Sequence, residues 1–549
     1  MLLINTETLK LEEFHGESPK YAILSHTWGD DEVTLQEFIE AGEETKRKQG
    51  YTKILTACRQ ARLEDISYCW VDTCCIDKTS SAELSEAINS MFNWYKHAKI
   101  CFAYLSDFDL DVDVVQPVAS RIAKCRWFTR GWCLQELIAP NELRFYDKNW
   151  RFVSDKKSMR VALSKITNID QEVLEDSNRM LSRPIARRMS WASKRQTKRV
   201  EDIAYSLLGI LDVNMPLLYG EGEKAFIRLQ EEVIRKSNDL SIFAWSPPSR
   251  GGQSAYVDLL ATSPALFEDC HSIEDGGLDD RTLSPSMFSL TNRGIQFTTN
   301  NLAVIEPQEG QERPYYVFPL YCEDTASAQC WMFLLLKKIG PGVYVRVRVS
   351  GDRRSEYGSH VRPWTIEKEI YILPKVMPDL YPIIETCHRS SFEIRTSQSK
   401  SSDFSIRGLE PCSAWDAPRS RFLTQGNPYF VGYVKIYPNL ASRSLSEFFV
   451  ITLSFRGQDP QPYVCLVHPD IWIMCDGPGR SIEWTVTVSN YRQQEVSKAD
   501  GNNLHTLDLV QHHVTATIHT RILRNVPVHT IMLDWEPHGN GNRKRLRVL

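Results

Sequence analysis

The 549 residues carry 65 Lys and Arg against 69 Asp and Glu, a formal net charge of -4, so binding to nucleic acid or to an anionic membrane, both of which need a basic surface, is not expected. With 42% hydrophobic and 24% charged residues the chain lacks the apolar depletion of a disordered one, and its length predicts roughly three or four domains, each able to bury a core. The longest strongly apolar run, Trp331 to Leu336, is far short of the roughly 20 residues that span a bilayer.

Met1 to Phe14 mixes Leu2, Leu3 and Ile4 with Glu7, Lys10, Glu12 and Glu13 instead of the unbroken apolar stretch of an export signal, which predicts a cytoplasmic protein. Four short apolar runs then alternate with helical patterns: Tyr21 to His26, Ile66 to Asp72, Lys99 to Ser106, and Glu142 to Tyr146. Apolar residues at successive positions predict strands buried on both faces, as in a parallel sheet. Between them Ile54, Leu55, Cys58 and Ala61 share one helical face. Ser80 and Glu83 have capping-box spacing ahead of a stripe of Leu84, Ile88, Met91, Phe92 and Tyr95. The alternation predicts a doubly wound α/β domain over residues 1–180.

From Arg183 to Trp245 the pattern is helical, with Ile203, Leu207 and Leu208 at core spacing and an amphipathic stretch from Glu223 to Lys236. A helical extension is expected over 181–245, closed by a linker of Ser246, Pro247, Pro248, Ser249, Arg250, Gly251 and Gly252. Residues 246–549 read as β, in one or two antiparallel sandwich-like units. The runs Tyr315 to Tyr321, Cys330 to Leu336, Val343 to Val349, Phe448 to Phe455, Ile482 to Val488 and Val514 to Ile522 are rich in β-branched and aromatic residues. Thr396 to Ser405 reads as an exposed loop, and the tail with Arg543, Lys544, Arg545 and Arg547 as solvated.

Polar residues collect at the ends of the first strands: Ser25 and His26 after the first, Asp72 and Asp77 after the second. In open parallel sheets ligands bind outside the carboxyl ends of the strands, so these residues either line a crevice or satisfy loop backbone and cap helices. Trp132 and Glu136 are helical i and i+4 neighbours, placing an indole beside a carboxylate on one face. The competing reading is a surface glutamate on a helix that covers the sheet. Cys69, Cys74, Cys75, Cys101 and Cys133 lie within apolar runs, as reduced core thiols do. No metal or cofactor is called for. Gly220-Glu221-Gly222 follows no buried strand and reads as a turn before a helix, not as a dinucleotide fingerprint. The basic residues Arg183, Arg187, Arg188, Lys194, Arg195, Lys198 and Arg199 read either as a solvated helix face or as a phosphate contact.

Three blocks carry a resemblance to a known family: Tyr21 to Trp28 with its Ser25-His26-Thr27-Trp28 end, Trp70 to Asp77, and Arg126 to Leu137, which contains Arg130-Gly131-Trp132-Cys133-Leu134-Gln135-Glu136. In this order they resemble the signature blocks of the fungal heterokaryon-incompatibility (HET) domain. Arg188 to Ala192, Glu201 to Ile210 and Leu217 to Gly222 resemble the segment that accompanies such domains. The same blocks resemble, more distantly, the Toll/interleukin-receptor (TIR) fold. That resemblance implies a catalytic role for Glu136, with Trp132 in the same site, in cleaving NAD as substrate. Ser25, His26, Trp28, Asp72 and Asp77 are then the candidate substrate-binding residues. His26-Thr27-Trp28 departs from the aromatic-Arg pair of many TIR domains.

The family implies a part in vegetative incompatibility and programmed cell death, self-association into a homo-oligomer on activation, and other incompatibility proteins as partners. The alternative is a non-enzymatic signalling module that recruits cell-death partners.

Overall fold

Runs of successive apolar residues have no polar face to turn to water, so they settle where both faces are covered. In the computed structural model of the chain Tyr21–His26 is buried at all six positions and forms the middle of a sheet. The structure describes residues 1–110 and 116–247 continuously and, beyond them, shorter stretches between residues 255 and 537. The linker glycines Gly251 and Gly252, the run Ile482 to Val488 and the basic tail from Arg543 lie outside the described residues, as does most of the loop expected from Thr396 to Ser405. Two units are distinguished: residues 1–253, 259–290 and 319–334, and residues 254–258, 291–318 and 335–549.

The first unit runs β1 (Leu2–Asn5), β2 (Leu11–Glu13), β3 (Tyr21–His26), α1 (Leu35–Glu40), α2 (Glu43–Arg47), α3 (Gln49–Leu63), β4 (Tyr68–Trp70), α4 (Ser81–His97), β5 (Ile100–Tyr104), α5 (Val118–Ile122), α6 (Cys133–Ile138), β6 (Leu143–Tyr146) and β7 (Phe152–Asp155). Its seven strands lie in the order β2-β1-β4-β3-β5-β6-β7. The four strands expected from the apolar runs, β4, β3, β5 and β6, pair in parallel, with Ile23 opposite Trp70 and Ser25 opposite Ala103. Short antiparallel strands β1, β2 and β7 extend the sheet at both edges. The first parallel strand thus lies between the second and the third, so the winding reverses between β3 and β5, the place where open α/β sheets leave a crevice.

Ser80 caps α4 as its spacing predicts, accepting from the Glu83 backbone N–H at 3.3 Å. The buried stripe of that helix is Ala87, Ile88, Met91, Phe92 and Tyr95. Six further helices follow: α7 (Arg160–Thr167), α8 (Gln171–Glu175), α9 (Ile185–Ser190), α10 (Asp202–Tyr205), α11 (Leu208–Leu211) and α12 (Lys224–Lys236). Gly209 of α11 lies so close to α4 that a Cβ there would meet Phe92 Cβ at 2.2 Å. Gly220 and Gly222 hold φ of +104° and +61° in the turn before α12, and the Glu201 carboxylate accepts from both of their N–H groups.

The basic stretch is mostly neither solvated nor open to phosphate. Arg187 pairs with Asp170 and Glu274, Arg183 pairs with Glu172, and Arg188 and Arg195 are buried.

The second unit is β-rich. One sheet is antiparallel, with strands Phe404–Glu410, Val431–Pro438, Phe449–Arg456 and Gln461–Val467. Another contains His512–Leu523 and Val526–Pro537, with Phe392–Thr396 parallel to the latter. Inward residues of both, among them Ile394, Trp415, Ile436, Ile451, Val514 and Ile531, share one hydrophobic core, as in a sandwich. A mixed set of pairings joins Gly294–Thr298, Glu369–Ile372 and Val343–Val347. Among the described residues no helix is long and apolar enough to cross a membrane.

Candidate active site

At the carboxyl end of β3, Ser25 is fully buried with its side chain toward α6. Its hydroxyl donates to Glu136 Oε2 at 2.5 Å and accepts from the Trp127 indole N–H at 2.7 Å. A hydroxyl has one proton, and the indole can only donate, so the direction of this relay is fixed: Trp127 to Ser25 to Glu136.

Glu136 is 5% exposed. Burial pushes its carboxyl up to about 7, and the negative charge of Asp72 adds to this, whereas the Ser25 hydrogen bond, Arg130 and Cys133 act against it. An acid held there is part ionised at neutral pH. Its environment is water-poor, so its field on a developing positive charge is strong.

The helix that carries Glu136 is itself anchored. Lys156, just past β7, is buried and donates to the carbonyls of Leu137 and Ile138 at 3.3 and 3.4 Å, and to that of Pro140. These are the orphan acceptors at the C-terminal end of α6, where a cation also suits the helix dipole. Burial lowers the Lys156 ammonium to about 8. At the other end the Gly131 N–H donates to the Gln196 carbonyl at 2.8 Å, and a Cβ on Gly131 would meet Thr197 Cγ2 at 2.5 Å.

A second cluster stands beside the first. The Trp28 indole N–H donates to Asp72 Oδ2 at 2.8 Å. His26 Nε2 lies 3.7 Å from both Asp72 Oδ1 and Glu32 Oε2, and its imidazole is held well below its ordinary pKa by burial and then by the charges of Lys53, Arg130 and Lys78. It is therefore neutral. Asp72 remains 21% exposed at its side chain, and burial raises its carboxyl. Lys78 Nζ sits 3.9 Å from the Trp28 ring centroid and the Arg130 guanidinium carbon 5.7 Å from it.

The structure thus brings Ser25, Glu136, His26, Trp28 and Asp72 together at the rim between β3, β4 and β5. No hydrogen bond ties Trp132 to this cluster among the described residues, and Asp77 has other partners. Trp132 stands at the start of α6 with Asp202 nearby, and Asp202 accepts from Tyr219 at 3.0 Å. Asp77 accepts from the Thr79 N–H and hydroxyl at 2.9 and 2.6 Å and from Gln36, closing the turn before α4.

Sequence reasoning had not singled out Trp127, Lys156, Lys78 or Arg130 as site residues. Trp127 and Arg130 stand inside the third signature block, three residues apart. Nothing local marks Lys156, because its partners are backbone carbonyls 16 to 19 residues away. Among the described residues no group of three or more His, Cys, Asp or Glu could hold a metal ion.

Fold and site define a doubly wound α/β domain with an acid at its switch point. The family model for the heterokaryon incompatibility protein (HET) matches residues 21–115, and a domain of unknown function (DUF8212) matches residues 224–332. The first match takes in Ser25, His26, Trp28, Asp72 and Asp77, and α6 with Glu136 follows it. The chain is also 45% identical over 222 residues to vegetative incompatibility protein HET-E-1 of Podospora anserina, covering 40% of this chain and 16% of that protein. No solved structure matches. Residues 21–115 thus resemble the HET family, and the chain spans about 16% of the length of the incompatibility protein it matches.

Proposed function

We propose that the chain acts in vegetative incompatibility, the role that the matched relative's name gives that protein, and that its first unit cleaves the N-glycosidic bond of NAD when it self-associates, triggering cell death. The observation that carries the reading is the Glu136 carboxyl at the sheet's switch point, screened from water and held by a hydroxyl instead of an arginine.

The chemistry suits a single carboxylate. Nicotinamide is bound to the ribose as a cation, so when the C1′–N bond breaks the electron pair leaves with a neutral base and no general acid is needed. What remains is an oxocarbenium ion at C1′. Glu136 stabilises that charge, and a ribose hydroxyl takes the place on the carboxylate that Ser25 now holds. The TIR resemblance of the strand and helix order supports the same assignment. Homo-oligomer formation and partnership with other incompatibility proteins belong to this reading as its trigger.

The test is nicotinamide release from NAD by the purified full-length chain, dilute and under conditions that force assembly. Glu136→Gln is expected to abolish release while the protein still unfolds cooperatively. Equal turnover by that variant removes the assignment. No turnover by the parent, with cell toxicity surviving Glu136→Gln, supports the alternative of a non-enzymatic recruiting module.

A further inference from the structure

Several charged side chains of the first unit that surround the sheet are paired. Lys53 binds Glu32 at 2.6 Å, Lys48 binds Glu37 at 2.6 Å, Arg144 binds Glu64 and Glu142, and Arg151 binds Asp109 and Asp147. Arg130 and Lys78 differ. Among the described residues the Arg130 guanidinium makes no hydrogen bond or ion pair, and its Nε is buried without a partner. Lys78 reaches only the Thr73 carbonyl, at 3.5 Å. Asp72, a carboxylate that feels both charges, gives one oxygen to Trp28 and keeps the other beside His26.

Both cations rest on the one indole, Trp28, at the rim that holds Glu136. The backbone of Arg130 is fixed, its carbonyl accepting from Arg195 Nη1 at 2.9 Å, with a β-bridge to Gln196. The positive field of Arg130 reaches Glu136, Asp72 and His26. Leaving the buried Nε–H of Arg130 without an acceptor is costly unless a ligand uses it, and a planar fork of N–H donors matches phosphate oxygens in pairs.

We propose that Arg130, with Lys78, holds the diphosphate of a dinucleotide whose glycosidic bond lies at Glu136. The inference rests on the functional reading above. Two phosphates with one negative charge each match two unpaired cations. Trp28 orients both, a task that His26-Thr27-Trp28 performs here without an arginine at the first strand.

The test is titration calorimetry on the full-length Glu136→Gln protein, which the functional reading expects to bind without turning over. ADP-ribose is the probe with the diphosphate and nicotinamide riboside the probe without phosphate. Adding Arg130→Gln is expected to weaken ADP-ribose at least tenfold, Lys78→Gln less, and Arg130→Lys to recover part of the loss; nicotinamide riboside should bind all variants alike. Unchanged ADP-ribose affinity in folded Arg130→Gln, with NAD still cleaved by the parent, overturns the inference and leaves the function standing. Arg130-dependent ADP-ribose binding by a parent that cleaves no NAD leaves the inference standing and removes the catalysis. Equal Arg130 dependence for inorganic pyrophosphate, with no preference for ADP-ribose, also overturns it, because the site then takes any free anion.

Discussion

Replacing Glu136 by Gln should change the pH dependence of stability as well as catalysis. The carboxyl is held at about 7 in the folded protein against an ordinary 4.5, a gap of about 2.5 pH units at about 1.36 kcal/mol each, so ionising it costs the fold about 3 kcal/mol at most. Between these two values the unfolded chain has lost the proton and the folded chain has kept it. The folded state therefore binds more protons there, and stability falls as pH rises through the window, the full penalty being present above the folded value. Gln does not titrate. Any fixed cost of seating its amide against Ser25 is the same at every pH, so the difference between the two proteins isolates the carboxyl. Urea unfolding of the full-length proteins should show Glu136→Gln gaining about 2–3 kcal/mol on the parent between about pH 5 and about pH 8. A difference that stays constant across this range would refute the claim that burial holds the acid near neutrality.

Three further outcomes follow from the same geometry. Ser25→Ala leaves the Trp127 indole N–H buried without an acceptor, and calorimetry should show a loss of about 1–3 kcal/mol. Lys156→Met strips two α6 carbonyls and that of Pro140 of their donor; a loss of about 2–4 kcal/mol is expected, together with weaker hydrogen-exchange protection of α6, and unaltered exchange would show that the anchor is idle. Gly131→Ala drives a methyl into Thr197 Cγ2 and should lower both stability, by about 1–3 kcal/mol, and NAD turnover; Thr197→Ser in the same chain removes the obstructing atom and should restore both, whereas a failed rescue means the clash is not the cause.

The parallel core was legible because its strands are buried on both faces and so are apolar at successive positions, as in Tyr21–His26. The edge strands were not, because Leu11–Glu13 and Phe152–Asp155 meet water and mix polar with apolar residues. The site was half legible. Strand ends announce themselves locally, so Ser25, His26 and Asp72 stood out. The bond from Ser25 to Glu136 spans 111 residues, and no spacing rule reaches that far. Helical spacing put Trp132 with Glu136, and Trp132 keeps helical angles at the start of α6; its neighbour Asp202 comes from elsewhere in the chain, where no spacing rule reaches. Asp77 shows the opposite limit. An acid two residues before Thr79 has a local use in closing the turn, and that use claims it.

The most direct test of the account is the pH profile of kcat/KM for NAD cleavage, in the parent and in Ser25→Ala, since this ratio reports ionisations of the free enzyme. Activity should rise as Glu136 ionises, with its midpoint at about 7, and the midpoint should move to higher pH once the Ser25 hydrogen bond that favours the anion is gone. A rate that does not change through neutrality, or two superimposable profiles, would contradict a reaction carried by Glu136.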